Sequence, residues 1–342
     1  MRELLDIQKQ LLPDLLDTLK ERYTILHHIM VSGIVGRRTL AASLNKTERI
    51  LRAEVDFLKA QGLLNVDASG MKISEAGRQL LEKIEPLVKD LFGLTELEER
   101  IRAHFGLKQV VVVPGDSDTS PHTKKELGRA GAAVLSKYVS KDEVIAVTGG
   151  STMAEVAYHL SSSTSLKGSW FVPARGGLGE SMDVQANTIA STMAKKTGAK
   201  YRLLHVPYHL GEEAYQTLMQ DSNILEIIQF IRKARIVIHG MGDAMVMARR
   251  RKVDEATTAS LRNDGALAEA FGYYFDRDGK ILHNMPTVGL RIEDIQEMDC
   301  VIGVAGGKSK GEAIAAVLRF GREDIVVIDE AAAQVIVQTL PS

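Results

Sequence analysis

Three glycine-containing stretches carry the residue types that bind anions. Thr148-Gly149-Gly150-Ser151-Thr152 follows the apolar run Val144–Val147 and opens a helical pattern. Glycines let backbone amides approach an anion closely. A helix N-terminus adds unpaired N–H groups and the positive end of a dipole, and the Ser151 and Thr152 hydroxyls add donors. The stretch has neither the lysine of a Walker loop nor the Gly-x-Gly-x-x-Gly dinucleotide spacing. Alone it is equally consistent with a tight strand-to-helix turn that binds nothing. Ala174-Arg175-Gly176-Gly177-Leu178-Gly179 follows the next apolar run and places Arg175 at the same expected sheet edge. Ala305-Gly306-Gly307-Lys308-Ser309-Lys310 follows a late strand and opens another helix. Two glycine loops, an arginine and a lysine at one edge suit a doubly phosphorylated or polyanionic small molecule. Arg250 and Arg251, within Arg249-Arg250-Arg251-Lys252, either add charge there or form a solvated basic helix end. Glu269 and Asp264 could act as bases in a sugar-phosphate isomerase, but no fixed acid–base pair stands out, and the nine histidines are scattered.

A second chemistry is written near the N-terminus. Arg37, Arg38, Lys46, Arg49, Arg52 and Lys59 face only Glu48, Glu54 and Asp56 within residues 37–59. Leu51, Val55 and Leu58 recur at helical spacing and define a buried face, so Thr47, Glu48, Arg49, Arg52 and Ala53 lie opposite. An exposed helix face of this kind fits a major groove, where Arg49 and Arg52 suit guanine edges or phosphates. Arg37, Arg38 and Lys46 are better placed for phosphates. Lys72 could touch the backbone beside the groove. The competing reading is a small helical bundle that binds a protein partner.

The elements that must position these groups fall into two patterns. Residues 3–30 read as helix, with Pro13 either opening a new helix or kinking one. A breaker at 31–36 precedes a short helix over 37–44, a turn at Asn45-Lys46 and a helix over 47–61 capped by Thr47. A hairpin over 63–73 follows, then a helix capped by Ser74, in which Pro86 predicts a break or kink. This order is that of a winged helix-turn-helix. From residue 108 short apolar runs alternate with amphipathic helices. Strands are expected at 110–113, 144–147, 170–173, 201–206, 235–239, 300–304 and 325–328, with a hairpin over 273–282. Such alternation predicts a mostly parallel sheet covered on both faces, a Rossmann-like α/β domain. In such sheets the ligand crevice lies at the carboxyl edge. Trp170, on the strand leading to Arg175, is expected to report a ligand by fluorescence. The expected domains are 1–90, a helical connector over 91–107, and 108–342.

Composition narrows the class. The 342 residues, 45% hydrophobic and 25% charged, describe a globular chain of about two domains rather than a disordered or fibrous one. No apolar run is long enough for a transmembrane helix, and the acid-containing N-terminus does not read as a signal peptide, so a cytoplasmic protein without a membrane partner is expected. The single cysteine, Cys300, cannot form an internal disulfide or a cysteine zinc cage. The net charge of −1 hides the basic window near the N-terminus. Leucine-rich segments at 4–19 and 80–105, together with the two half-sites usual for helix-turn-helix proteins, predict a dimer and a tetramer on DNA.

In combination these motifs resemble the SorC family of bacterial transcriptional regulators. The resemblance rests on Thr-Gly-Gly-Ser-Thr, Pro-Ala-Arg-Gly-Gly-Leu-Gly and Val-Ala-Gly-Gly-x-Ser-Lys. It is strengthened by Leu12-Pro13-Asp14-Leu15-Leu16, Gly36-Arg37-Arg38, Gly115-Asp116-Ser117-Asp118 and the run Glu269–Phe275. It spans essentially the whole chain. It implies a non-enzymatic repressor of the operon for the triose-phosphate section of glycolysis. Operator DNA would be one partner and fructose 1,6-bisphosphate the inducer, with other sugar phosphates sharing the pocket and no cofactor. The resemblance assigns one phosphate to Gly149, Gly150, Ser151 and Thr152. It completes the pocket with Arg175, Gln185, Arg250, Arg251, Glu269 and Lys310. Ser151 departs from the threonine of close relatives but keeps the hydroxyl, and Lys308 departs by adding charge beside the phosphate. The α/β domain would share ancestry with sugar-phosphate isomerases.

Overall fold

The computed structural model describes residues 11–341 except 45, 164–165, 178–180, 208–211 and 286–287. The expected helix before residue 11, Asn45 of the expected turn and Leu178-Gly179 of the second glycine stretch lie outside the described residues. The chain divides into two units between Glu96 and Leu97.

The first unit is a winged helix-turn-helix. Pro13 occupies the first turn of the helix Pro13–Ser32, where its missing N–H has no helical role. Short and longer helices follow at Arg37–Ser43 and Glu48–Ala60, and the Thr47 hydroxyl accepts the Ile50 amide at 3.4 Å. Leu51, Val55 and Leu58 are buried with Ile25, Ile29 and Leu40 in one core. Strands β1 (Leu64–Asp67) and β2 (Gly70–Ile73) form the hairpin, and Val35 pairs with Met71 beside it. Ser74 caps the helix Glu75–Leu91 by accepting the Gly77 amide. That helix continues through Pro86 rather than breaking. Leu81, Val88 and Leu91 stay buried along it, and tertiary packing outweighs the local proline penalty.

The second unit is built on a seven-stranded parallel sheet. Its strands are β3 (Gln109–Val113), β4 (Val144–Val147), β5 (Trp170–Pro173), β6 (Lys200–Tyr201), β7 (Ile236–His239), β12 (Cys300–Val304) and β13 (Ile325–Asp329). Their order is β3-β13-β12-β7-β4-β5-β6. Central strands β7, β12 and β13 are buried throughout, which explains their uninterrupted apolar sequences. The strand expected over 201–206 is reduced to the exposed two-residue edge β6. The chain leaves β4 toward β5 and β6 on one side, and later resumes at β7 on the other. Strand order therefore reverses between β4 and β7, which is where parallel α/β sheets open a crevice. The expected hairpin over 273–282 belongs to a second, antiparallel sheet. There β8 (Gly242–Asp243), β9 (Ala268–Ala270), β10 (Tyr273–Phe275) and β11 (Ile281–Asn284) lie in the order β11-β10-β9-β8. Among the described residues no helix is long and apolar enough to cross a membrane.

Candidate ligand cavity and nucleic-acid interface

A cavity of about 450 Å³ lies over the β4–β7 reversal. All ten residues expected to hold a ligand line it: Gly149, Gly150, Ser151, Thr152, Arg175, Gln185, Arg250, Arg251, Glu269 and Lys310. They come from loops after β4, β5 and β12, from the helix Ala244–Arg250 and from β9.

The first loop is shaped for an anion. A Cβ on Gly149 would lie 2.7 Å from the Val184 carbonyl, so only glycine fits there. The Gly150 amide donates to that same carbonyl at 2.8 Å, and Gly150 has φ +125°. This amide is therefore occupied, and the open donors lie one step further on. The amides of Ser151, Thr152 and Met153 begin the helix Ser151–His159, which has no side-chain cap. They have no acceptor among the described residues, and all three residues line the cavity.

The third loop differs from its sequence reading. Its amides already have carboxylate partners: Gly307 donates to Asp329 at 2.7 Å, Lys308 to Asp116 at 3.2 Å and Ser309 to Asp118 at 2.8 Å. The protein's own acids fill the nest that an external phosphate would otherwise occupy. Only Ser309 and Lys310 of this loop reach the cavity wall. Lys308 is exposed outside it, contrary to its expected place beside a phosphate.

Positive charge at the cavity comes instead from side chains. Lys124, Arg250 and Lys310 all line the cavity, and among the described residues none of them forms an ion pair. Burial holds the Lys310 ammonium below the ordinary lysine value of 10.5. Asp118 and Asp329 oppose that shift, while Lys124 and Arg250 reinforce it. Sequence reasoning missed Lys124. Its signal was available, since it lies in the first turn of the helix Pro121–Tyr138, after the loop that leaves β3.

The cavity wall carries further polar groups. Arg175 is 6% exposed, donates from Nη2 to the Leu290 carbonyl at 3.4 Å and lies 5.4 Å over the Tyr273 ring. Arg251 and Glu269 form a buried ion pair of 2.7 Å. The same Glu269 Oε1 accepts the Gly272 amide at 2.5 Å. Phe271 and Gly272 join β9 to β10 with φ values of +54° and +80°, a two-residue turn that rarely places a phenylalanine first. The Phe271 ring lies 4.0 Å from that of His239. His239 is wholly buried, with Nε2 at 3.0 Å from both Glu323 oxygens and Nδ1 at 3.1 Å from the Gly240 carbonyl. Trp170 does not line the cavity. It opens β5 at the opposite end from Arg175 and stacks edge-on against Phe230.

In the first unit, Arg49 and Arg52 are exposed on the helix Glu48–Ala60. Thr47 is exposed at its cap. Arg38 is 90% exposed in its side chain and lies 3.4 Å from Glu48, while Arg37 is half-buried. Lys46 is bound to Glu21 at 2.5 Å, a competitor for any phosphate that the sequence did not reveal.

Comparison with known proteins agrees with both units. The CggR N-terminal DNA binding domain family matches residues 18–88, and the sugar-binding domain family matches residues 89–338. The central glycolytic genes regulator of Priestia megaterium is 44% identical over 339 residues, covering 99% of each chain. That of Bacillus subtilis is 42% identical over 334 residues, covering 98% of each. The crystal structure of a SorC family transcriptional regulator from Enterococcus faecalis aligns with a TM-score of 0.66 and 39% identity, covering 70% of this chain and 99% of that one. The chain belongs to the SorC family of transcriptional regulators. Membership accounts for the order of its units, a DNA-binding domain followed by a sugar-binding domain. It also makes the isomerase reading the weaker one, since these relatives are named as regulators.

Proposed function

We propose that this chain represses the central glycolytic genes in the cytoplasm, without catalysis, and is released from operator DNA by a doubly phosphorylated sugar, fructose 1,6-bisphosphate first among the candidates. The observation that carries the reading is the convergence of anion-binding groups on one cavity. The amides of Ser151, Thr152 and Met153, which have no acceptor among the described residues, and the cations Lys124, Arg250 and Lys310, which form no ion pair among them, all line it. Arg175, Gln185, Arg251 and Glu269 lie in the wall and suit a phosphate edge and sugar hydroxyls. Three amides, three cations and the wall residues Arg175 and Arg251 together match the charge and acceptors of two phosphates better than those of one. Operator DNA would meet Arg49 and Arg52 in the major groove, with Arg37, Arg38 and Thr47 at the backbone. The working form is a dimer that pairs into a tetramer on DNA. The effector acts through a coupling of about 1–3 kcal/mol between ligand and operator binding.

A gel-shift titration of operator DNA with and without fructose 1,6-bisphosphate tests this. Weakened binding in its presence is expected, with fructose 6-phosphate acting only at higher concentration. An operator affinity indifferent to both sugars overturns the effector assignment.

A further inference from the structure

Lys310 carries a property that phosphate binding alone does not need. It lies in the short turn Lys308–Lys310 before the helix Gly311–Phe320, half-buried on the cavity wall and without an ion pair among the described residues. Burial, with Lys124 and Arg250 adding like charge, holds its ammonium below the ordinary lysine value, so the amine loses its proton more readily than that of an exposed lysine. A neutral lysine amine is a nucleophile, and a desolvated pocket beside other cations is where lysines become reactive. The same neighbours would stabilise a departing phosphate.

We propose that Lys310 is an acyl acceptor: the cavity binds an acyl phosphate by its phosphoryl group, and the Lys310 amine takes the acyl group. This rests on the reading of the cavity as a phosphate site. The Nζ lone pair attacks the acyl carbon and forms a C–N bond. The C–O bond to phosphate breaks, and its electron pair leaves with the phosphate. The proton lost from nitrogen passes to that phosphate, so an amide and hydrogen phosphate are the products and no oxidant or reductant is required. The acylated side chain is neutral. One of these three cations lining the cavity is thereby removed, so the modified chain binds bisphosphates less tightly. A supply of acyl phosphates would then leave a covalent record in the effector site.

The test incubates the full chain with acetyl phosphate and maps acetyl-lysines over time by mass spectrometry. Lys310 is compared with the exposed Lys72 and Lys141. The proposal expects Lys310 to react on the order of tenfold faster than either, because a bound electrophile is held beside the amine. It also expects the rate to saturate with acetyl phosphate and to fall when inorganic phosphate is added. Acetic anhydride, which has no phosphate, should lose that preference for Lys310. Binding of fructose 1,6-bisphosphate to the same preparation is measured by calorimetry. If the bisphosphate binds but Lys310 reacts no faster than Lys72 and Lys141, or reacts without saturation or phosphate protection, the acyl-acceptor proposal is overturned and the phosphate-site reading stands. If neither compound engages the cavity, both fail. Saturable, phosphate-protected acetylation without bisphosphate binding supports the acyl acceptor and overturns the bisphosphate reading.

Discussion

Arg251 stands 2.7 Å from Glu269 in the cavity wall, with side-chain exposures of only 7% and 4%. A charge pair this buried is costly to break, because the remaining partner keeps its desolvation penalty and loses its counter-charge. Arg251→Met should therefore destabilise the unit Leu97–Ser342 by about 3–5 kcal/mol, and Glu269→Met by a comparable amount. The double replacement should cost less than the sum of the two, because no isolated charge remains. Urea unfolding of the four proteins closes this cycle. Additive losses would mean that the pair has no coupling of its own.

Arg175 is held by the backbone of a neighbouring loop and by the Tyr273 ring, within the second unit alone. Arg175→Ala removes a charged wall from the cavity and leaves the helix-turn-helix untouched. The variant should bind operator DNA as the parent does, yet need about tenfold or more effector to leave it, corresponding to about 1.4 kcal/mol or more of lost effector binding. An unchanged effector response would place the ligand elsewhere. Loss of operator binding without effector would make Arg175 structural.

The parts legible in the sequence were those set by local pattern. Strand–glycine–helix transitions at 147–152 and 304–311, and the buried face of Leu51, Val55 and Leu58, are one-dimensional signals that survive folding. Long-range pairing was not legible. Nothing near Gly307 announces that Asp116 and Asp118, about 190 residues earlier, take the amides of Lys308 and Ser309. Lys124 meets Arg250 and Lys310 for the same reason: three separate crossovers end at one sheet edge. Trp170 shows the opposite failure. It is close to Arg175 in sequence, but a four-residue strand at about 3.3 Å per residue carries the two to opposite ends of the sheet. Its fluorescence is no direct reporter of the cavity.

On the DNA face, Arg52 and Lys46 are predicted to behave differently. Arg52 is exposed on the helix Glu48–Ala60, whereas Lys46 is committed to Glu21. Arg52→Ala should weaken specific operator binding by about 1–3 kcal/mol and non-specific binding much less, as for a lost guanine contact. Lys46→Ala should leave the salt dependence of binding nearly unchanged, because an internally paired lysine releases few counterions. Filter binding over a range of salt concentrations measures both. Equal loss of specific and non-specific affinity in Arg52→Ala would reduce that residue to a phosphate contact. A salt slope lowered by about one in Lys46→Ala would show that DNA displaces Glu21.

Lys310 makes effector binding pH-dependent in a defined direction. In the free cavity its ammonium is held below the ordinary lysine value of 10.5, first by burial. A phosphate brought beside it favours the charged form and raises that value again. Between the two values the complex holds more protons than the free protein, so binding takes up protons and affinity falls as pH rises through the lower one. The phosphate group itself titrates near pH 6, so above about pH 8 its own contribution is small. Calorimetry of fructose 1,6-bisphosphate binding in pairs of buffers of unequal ionisation heat, at a series of pH values from about 8 up to the ordinary lysine value, counts the protons taken up, since the phosphate is then fully ionised. A net uptake is expected for the parent and a smaller one for Lys310→Met. Zero uptake or proton release by the parent across that whole range would mean that the ligand does not approach Lys310.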